Sequence, residues 1–185
     1  MRLARRAALL SRKILSPYRA EHAHRVASLL INPSQEELAT AYLHDVLEDT
    51  DYKEELLRKR FGKEVASWVF ALSHEPGVRD FSRLKDAAPE AKRVKLADRI
   101  DNIKKRVYED RFPSIGYVVE TEKLLEIIQD GDERLAALLR NLVEKLRQKC
   151  AKYQHDNDVL QVYRTEGTPT ASRFGRRGWE PVNGE

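Results

Sequence analysis

A chain of 185 residues with 41% hydrophobic and 35% charged residues has the size and balance of one folded domain, long enough to bury a core without disulfides. No apolar run approaches the length of a bilayer-crossing helix, which excludes a helical membrane protein, and the single Cys150 excludes an intramolecular disulfide framework or a cysteine-cluster zinc site. A cytoplasmic location is the expectation that follows. The net charge of +4 is unevenly spread: Arg2, Arg5, Arg6, Arg12, Lys13 and Arg19 all precede the first acid, Glu21. Such a basic start is read as a helix, with a transit peptide as the alternative. No interleaved aromatics or nucleic-acid motif accompany it, so a phosphate-rich small molecule is a better expected partner than nucleic acid.

Strand signals are almost absent and apolar residues recur at helical spacing, so the chain is expected to be all-α. In chain order, a helix is predicted over 3–15, ending before Ser16-Pro17, and a second over 19–31, ending before Asn32-Pro33. Ser34 with Glu37 has capping-box spacing and opens a third helix, whose stripe Leu38, Ala41, Tyr42, Val46 and Leu47 carries it into the segment "YLHDVLEDT". Shorter helices are predicted over 53–61 and 63–72, then a loop with one helical turn around Pro76, Gly77 and Pro89. Helical spacing resumes over 91–108, and helices 114–129 and 132–152 form a pair joined at Asp130-Gly131. From residue 155 the chain turns polar and rich in glycine and proline, which predicts a folded domain over 1–154 and a flexible tail over 155–185.

The chemistry gathers in three helical segments. On the third helix His44 shares a face with Glu48, and Asp45 shares one with Asp49, so ionisable groups crowd within about one turn. Like charges repel unless a cation sits among them, so a divalent ion is the simplest resolution and a solvated helix face the alternative. In "RAEHAHRVASLL" His22 lies with Val26 and Leu29 on the apolar side, while His24 points elsewhere. It is a candidate ligand or an ordinary buried histidine. In "VKLADRIDNIKKR" Asp98 shares a face with Val94, with Asn102 one turn on, and a buried aspartate there needs an ion or an internal arginine as partner.

A histidine on one helix, a His-Asp doublet on a later one and a distant aspartate resemble the HD superfamily of metal-dependent phosphohydrolases. "LHDVLEDT", followed about fifty residues later by "VKLADRIDNI", is similar to its Rel/SpoT hydrolase branch. The resemblance runs from about Arg12 to Leu146 and implies a compact helical bundle and a small stand-alone hydrolase. It implies His22, His44, Asp45 and Asp98 as ligands of one ion, manganese first, and Glu48 and Asp49 as the catalytic pair. It also implies removal of the 3′-diphosphate of ppGpp or pppGpp as pyrophosphate. Asn102, Arg12, Lys13 and Lys92 are the candidate substrate-binding residues. The pattern departs from the branch in "SRKILSPYRAEHAH", where the loop before Pro17-Tyr18 is short and Ala23 stands for proline, in Ser73-His74, and in Lys105, where relatives carry threonine. The rival readings are an HD phosphohydrolase acting on a deoxynucleotide or nucleoside monophosphate, and a non-catalytic nucleotide sensor.

Overall fold

The computed structural model describes residues 2–74, 81–109 and 113–166, with side chains through 157. Every regular element among them is helical: α1 (Leu3–Ile14), α2 (Pro17–Leu29), α3 (Gln35–Leu43), α4 (Val46–Asp49), α5 (Glu54–Phe61), α6 (Lys63–Leu72), α7 (Ser82–Lys85), α8 (Pro89–Tyr108), α9 (Ile115–Ile128) and α10 (Glu133–Glu166). A 3-10 turn, Gln129–Gly131, joins the last two. The expected all-α bundle is what forms. None of the described helices is long and apolar enough to cross a membrane.

Local chemistry sets most of the boundaries. Ser16 precedes Pro17 at the first position of α2, and its side chain accepts from the Arg19 N–H. Ser34 and Glu37 close both arms of a capping box on α3, at 3.0 and 2.7 Å. Gly62, at φ +95°, turns the chain from α5 into α6 in a conformation that side-chain-bearing residues rarely adopt. The last carbonyls of α8 are satisfied from α10, where the Lys149 ammonium donates to Arg106 and Val107 at 2.9 Å each.

Two apolar clusters make the core. One gathers Ala7, Leu10, Leu43, Leu57, Val65 and Val69 from α1, α3, α5 and α6; the larger one gathers Val26, Leu96, Ile100, Leu124, Leu135 and Leu139 from α2, α8, α9 and α10. Helix α8 runs through the middle and buries Lys92, Lys95, Asp98, Arg99 and Asp101 along with its apolar residues. Charges so placed require partners, and each has one at 3.0 Å or less.

Two expectations are corrected. The third helix does not run unbroken through the His-Asp doublet: α3 closes at Leu43, a turn takes His44 and Asp45, and α4 restarts at Val46. No glycine or proline marks the break. It frees the Ala41 carbonyl to accept from the His44 ring at 2.8 Å, so the backbone bends to serve a side chain. The last helix does not close at Lys152 but continues to Glu166. The polarity there reflects exposure of Gln154 to Asn157 rather than loss of helix, since extending a formed helix costs no new nucleation and no glycine or proline intervenes before Gly167.

Candidate metal centre and nucleotide cavity

Three helices bring the ligand-type side chains together. His22 comes from the apolar side of α2, His44 and Asp45 from the turn between α3 and α4, and Asp98 from the buried middle of α8. The Nε2 of His22 lies 3.2 Å from the Nε2 of His44, 3.1 Å from Oδ1 of Asp98 and 4.0 Å from Oδ2 of Asp45. His44 Nε2 is 3.1 Å from Asp45 Oδ1 and 3.7 Å from Asp98 Oδ1. Donor atoms of His22, His44 and Asp45 all fall within 4.8 Å of one another, the spacing of ligands around one ion.

Ring orientation strengthens the fit. A carbonyl can only accept, so His44 holds its proton on Nδ1 toward Ala41 and turns an Nε2 lone pair into the cluster. His22 Nδ1 faces the Asp101 carboxylate at 2.7 Å, which turns its Nε2 the same way. Two acceptor nitrogens and the carboxylate oxygens of Asp45 and Asp98 therefore converge, a nitrogen and oxygen set suited to a divalent ion. The field points the same way. Burial works against a charged His22, yet Asp98, Asp101 and Asp45 raise its pKa, so the pocket prefers a cation where the ring nitrogens meet. Burial likewise opposes ionised Asp98, but Lys95 at 3.0 Å and the two histidines hold its pKa well below the usual carboxylate range.

The other acids sit beside this cluster. Glu48 Oε1 accepts from the His74 backbone N–H at 2.7 Å. Asp49 shares the Arg19 guanidinium with Asp45, at 3.0 and 3.2 Å. Burial, then the Asp45 charge, raises the Asp49 pKa against the pull of Arg19, His44 and His22. Asn102 donates to Asp98 Oδ1 at 2.7 Å.

The cluster floors a cavity of about 520 Å³ that Glu48 and Asn102 also line. Its walls carry Arg19, Lys95, Arg99, Lys105 and Arg106 together with Tyr18, Phe81 and Tyr117. The guanidiniums of Arg106 and Arg99 lie 3.9 and 4.7 Å from the centre of the Tyr117 ring. Lys105 reaches the Tyr18 hydroxyl at 3.0 Å. Cations and aromatic rings around an acidic floor match a ligand with phosphates and a flat base.

Among the sequence-derived candidates, His22, His44, Asp45 and Asp98 meet at one point, with Glu48, Asp49 and Asn102 around them. The remaining three do not reach the cavity. Arg12 and Lys13 lie exposed in the last turn of α1, and Lys92 is buried against the turn between α9 and α10, where Asp130 holds its ammonium at 2.8 Å. Resemblance to the branch and positive charge had singled them out. Four of the cations that do line the cavity, Lys95, Arg99, Lys105 and Arg106, were visible as one face of α8, spaced three and four residues apart with Asp98 and Asn102. Lys105, which departs from the branch pattern in sequence, is one of them.

A model of the HD domain family matches residues 2–105. No curated protein matches the chain. A solved structure described as "A metazoan ortholog of SpoT hydrolyzes ppGpp and plays a role in starvation responses" superposes with a TM-score of 0.62 at 25% identity, covering 80% of this chain and 93% of that one.

Proposed function

The chain belongs to the HD domain family, and from that membership we propose that it is a metal-dependent phosphohydrolase that removes the 3′-diphosphate of ppGpp or pppGpp as pyrophosphate. The observation that carries this reading is the grouping of His22, His44 and Asp45, with Asp98 Oδ1 3.1 and 3.7 Å from the two ring nitrogens, at the floor of a cavity walled by cations and aromatic rings. The similarity to a SpoT ortholog described as hydrolysing ppGpp supports the choice of substrate. A divalent ion held by those four residues, manganese before zinc, would supply Lewis acidity toward a phosphoryl group and toward water.

The chain's own residues divide the remaining work. Glu48, anchored through Oε1 by the His74 N–H, has its other oxygen free to orient water and take its proton. Asp49, with its raised pKa, is the second group able to hold a proton, and Arg19 keeps it beside Asp45. Lys95 and Asn102 fix Asp98 in its ionised form and orientation. Arg99, Lys105 and Arg106 offset phosphate charge, while Tyr18 and Phe81 offer ring surface to a base.

The test is incubation of the purified, manganese-loaded protein with ppGpp, its products separated by ion-exchange chromatography. Pyrophosphate and GDP are expected, with the 5′-diphosphate intact. Orthophosphate or triphosphate released from a deoxynucleotide or nucleoside monophosphate, with ppGpp untouched, would move the chain to another HD activity. Tight nucleotide binding without turnover of any substrate would instead favour a sensor.

A further inference from the structure

His22 and His44 reach the floor of the cavity by different means. His44 is fixed locally, by the Ala41 carbonyl three residues back. The outer nitrogen of His22 is fixed from another helix, by Asp101 of α8, whose Oδ2 lies 2.7 Å from Nδ1. This carboxylate is itself clamped. Arg25 donates Nε to Oδ1 at 2.8 Å and Nη2 to Oδ2 at 3.0 Å, and the Lys105 ammonium stands 3.3 Å away. Arg25 follows His22 by one turn, so α2 presents a guanidinium and an imidazole to one carboxylate, which is only 7% exposed.

We propose that Asp101 is a positioning residue for the ion site: it holds the His22 ring in the Nδ1–H form so that Nε2 faces His44, Asp45 and Asp98. The proposal rests on the metal reading of that cluster. A carboxylate behind a ligand histidine fixes the tautomer and ring plane and makes the ligating nitrogen more basic. Asp101 does this across 79 residues of sequence, with the Arg25 fork and the Lys105 ammonium on the same carboxylate. The competing account is a bolt between α2 and α8 with no bearing on the ion, and the two accounts predict different variants to fail.

Chelator-stripped wild type, Asp101→Asn and Arg25→Gln are titrated with manganese and with zinc by calorimetry, after the melting temperature of each metal-free protein is recorded. Asp101→Asn is expected to bind either ion about 10- to 100-fold more weakly. Arg25→Gln, which loosens the same helix contact but leaves the carboxylate on His22, should lower the metal-free melting temperature while its ion affinity stays near wild type. Equal affinities for Asp101→Asn and wild type, or an equal loss in Arg25→Gln, overturn the proposal. A wild type that binds neither ion overturns the metal reading itself and the proposal with it. Nitrogen-15 spectra of zinc-loaded wild type give a readout independent of any variant's folding: His22 is expected to be protonated on Nδ1 and ligated through Nε2, and ligation through Nδ1 overturns the positioning role.

Discussion

Replacing Asp101 by asparagine should cost the metal-free protein stability in a way that depends on pH. Burial alone would raise the Asp101 pKa, but the hydrogen bonds from Arg25 and His22 outweigh it and lower it from 3.8 to about 2. A carboxylate with a depressed folded pKa contributes stability that is present above the unfolded value, 3.8, and is lost as pH falls through the folded one. Because the side chain is almost fully buried, the fall from 3.8 to about 2 corresponds to about 2 kcal/mol at neutral pH. The same linkage leaves about half of that at pH 3. Urea unfolding of chelated wild type and Asp101→Asn, followed by helical circular dichroism between about pH 3 and pH 7, measures the gap at each pH. The gap should narrow from neutral pH to pH 3 by about 1 kcal/mol. A gap that stays constant would refute the reasoning, because it would place the cost of the substitution in shape rather than in the charge shared with Arg25 and His22.

Other outcomes follow from the same geometry. In metal-free protein His22, whose folded pKa lies above 6.5, contributes stability that is fully present below pH 6.5 and is lost as pH rises through the folded value. Melting temperatures of wild type should therefore fall toward alkaline pH more steeply than those of His22→Asn, and parallel curves would contradict the assignment. Glu48→Gln should keep its ion by calorimetry, since the His74 N–H still finds an acceptor, while turnover drops about a hundredfold or more in a steady-state assay. Unchanged turnover would pass the proton-transfer role to Asp49. At Gly131 an added Cβ would meet the Arg93 nitrogen at 2.6 Å and the Lys92 carbonyl carbon at 2.8 Å, both backbone atoms of α8. Gly131→Ala should thus lose about 1–3 kcal/mol in chemical denaturation, and wild-type stability would show that the turn can retreat.

Much of the fold was legible because its signals are local. The spacing of Leu38, Ala41 and Tyr42, the Ser34–Glu37 box and the prolines at 17, 33 and 89 mark helices whose ends the structure places within a few residues of expectation. The rule that the residue before a proline avoids helix holds at Ser16 and Ala88, both extended, but each proline then serves as the first residue of the next helix. The break at His44 and Asp45 had no such mark. Its cause is tertiary: the ring of His44 must turn toward α2 and α8, and the backbone gives way at the residues that carry the chemistry.

The site divides along the same line. His44, Asp45 and Glu48 could be found because they crowd one segment, and Asp98 and Asn102 because they lie a turn apart on a buried face. Arg12, Lys13 and Lys92 were chosen by resemblance and by charge, and charge without a face does not say where a side chain goes: Lys92 is neutralised by Asp130, while Lys95, three residues on, turns to Asp98. Asp101 is the harder case. In sequence it is one acid among the charges of "DRIDNIKKR", with nothing local to separate it from a solvated residue. Its meaning comes from Arg25 and His22, 76 and 79 positions earlier, and exists only once α2 lies along α8. The bonds from Arg25 and His22 keep that carboxylate ionised against its own desolvation, so its charge is shared among the three residues. Replacing Arg25 and Asp101 together should therefore cost less than the sum of the two single changes, the signature of a pair that shares one buried charge.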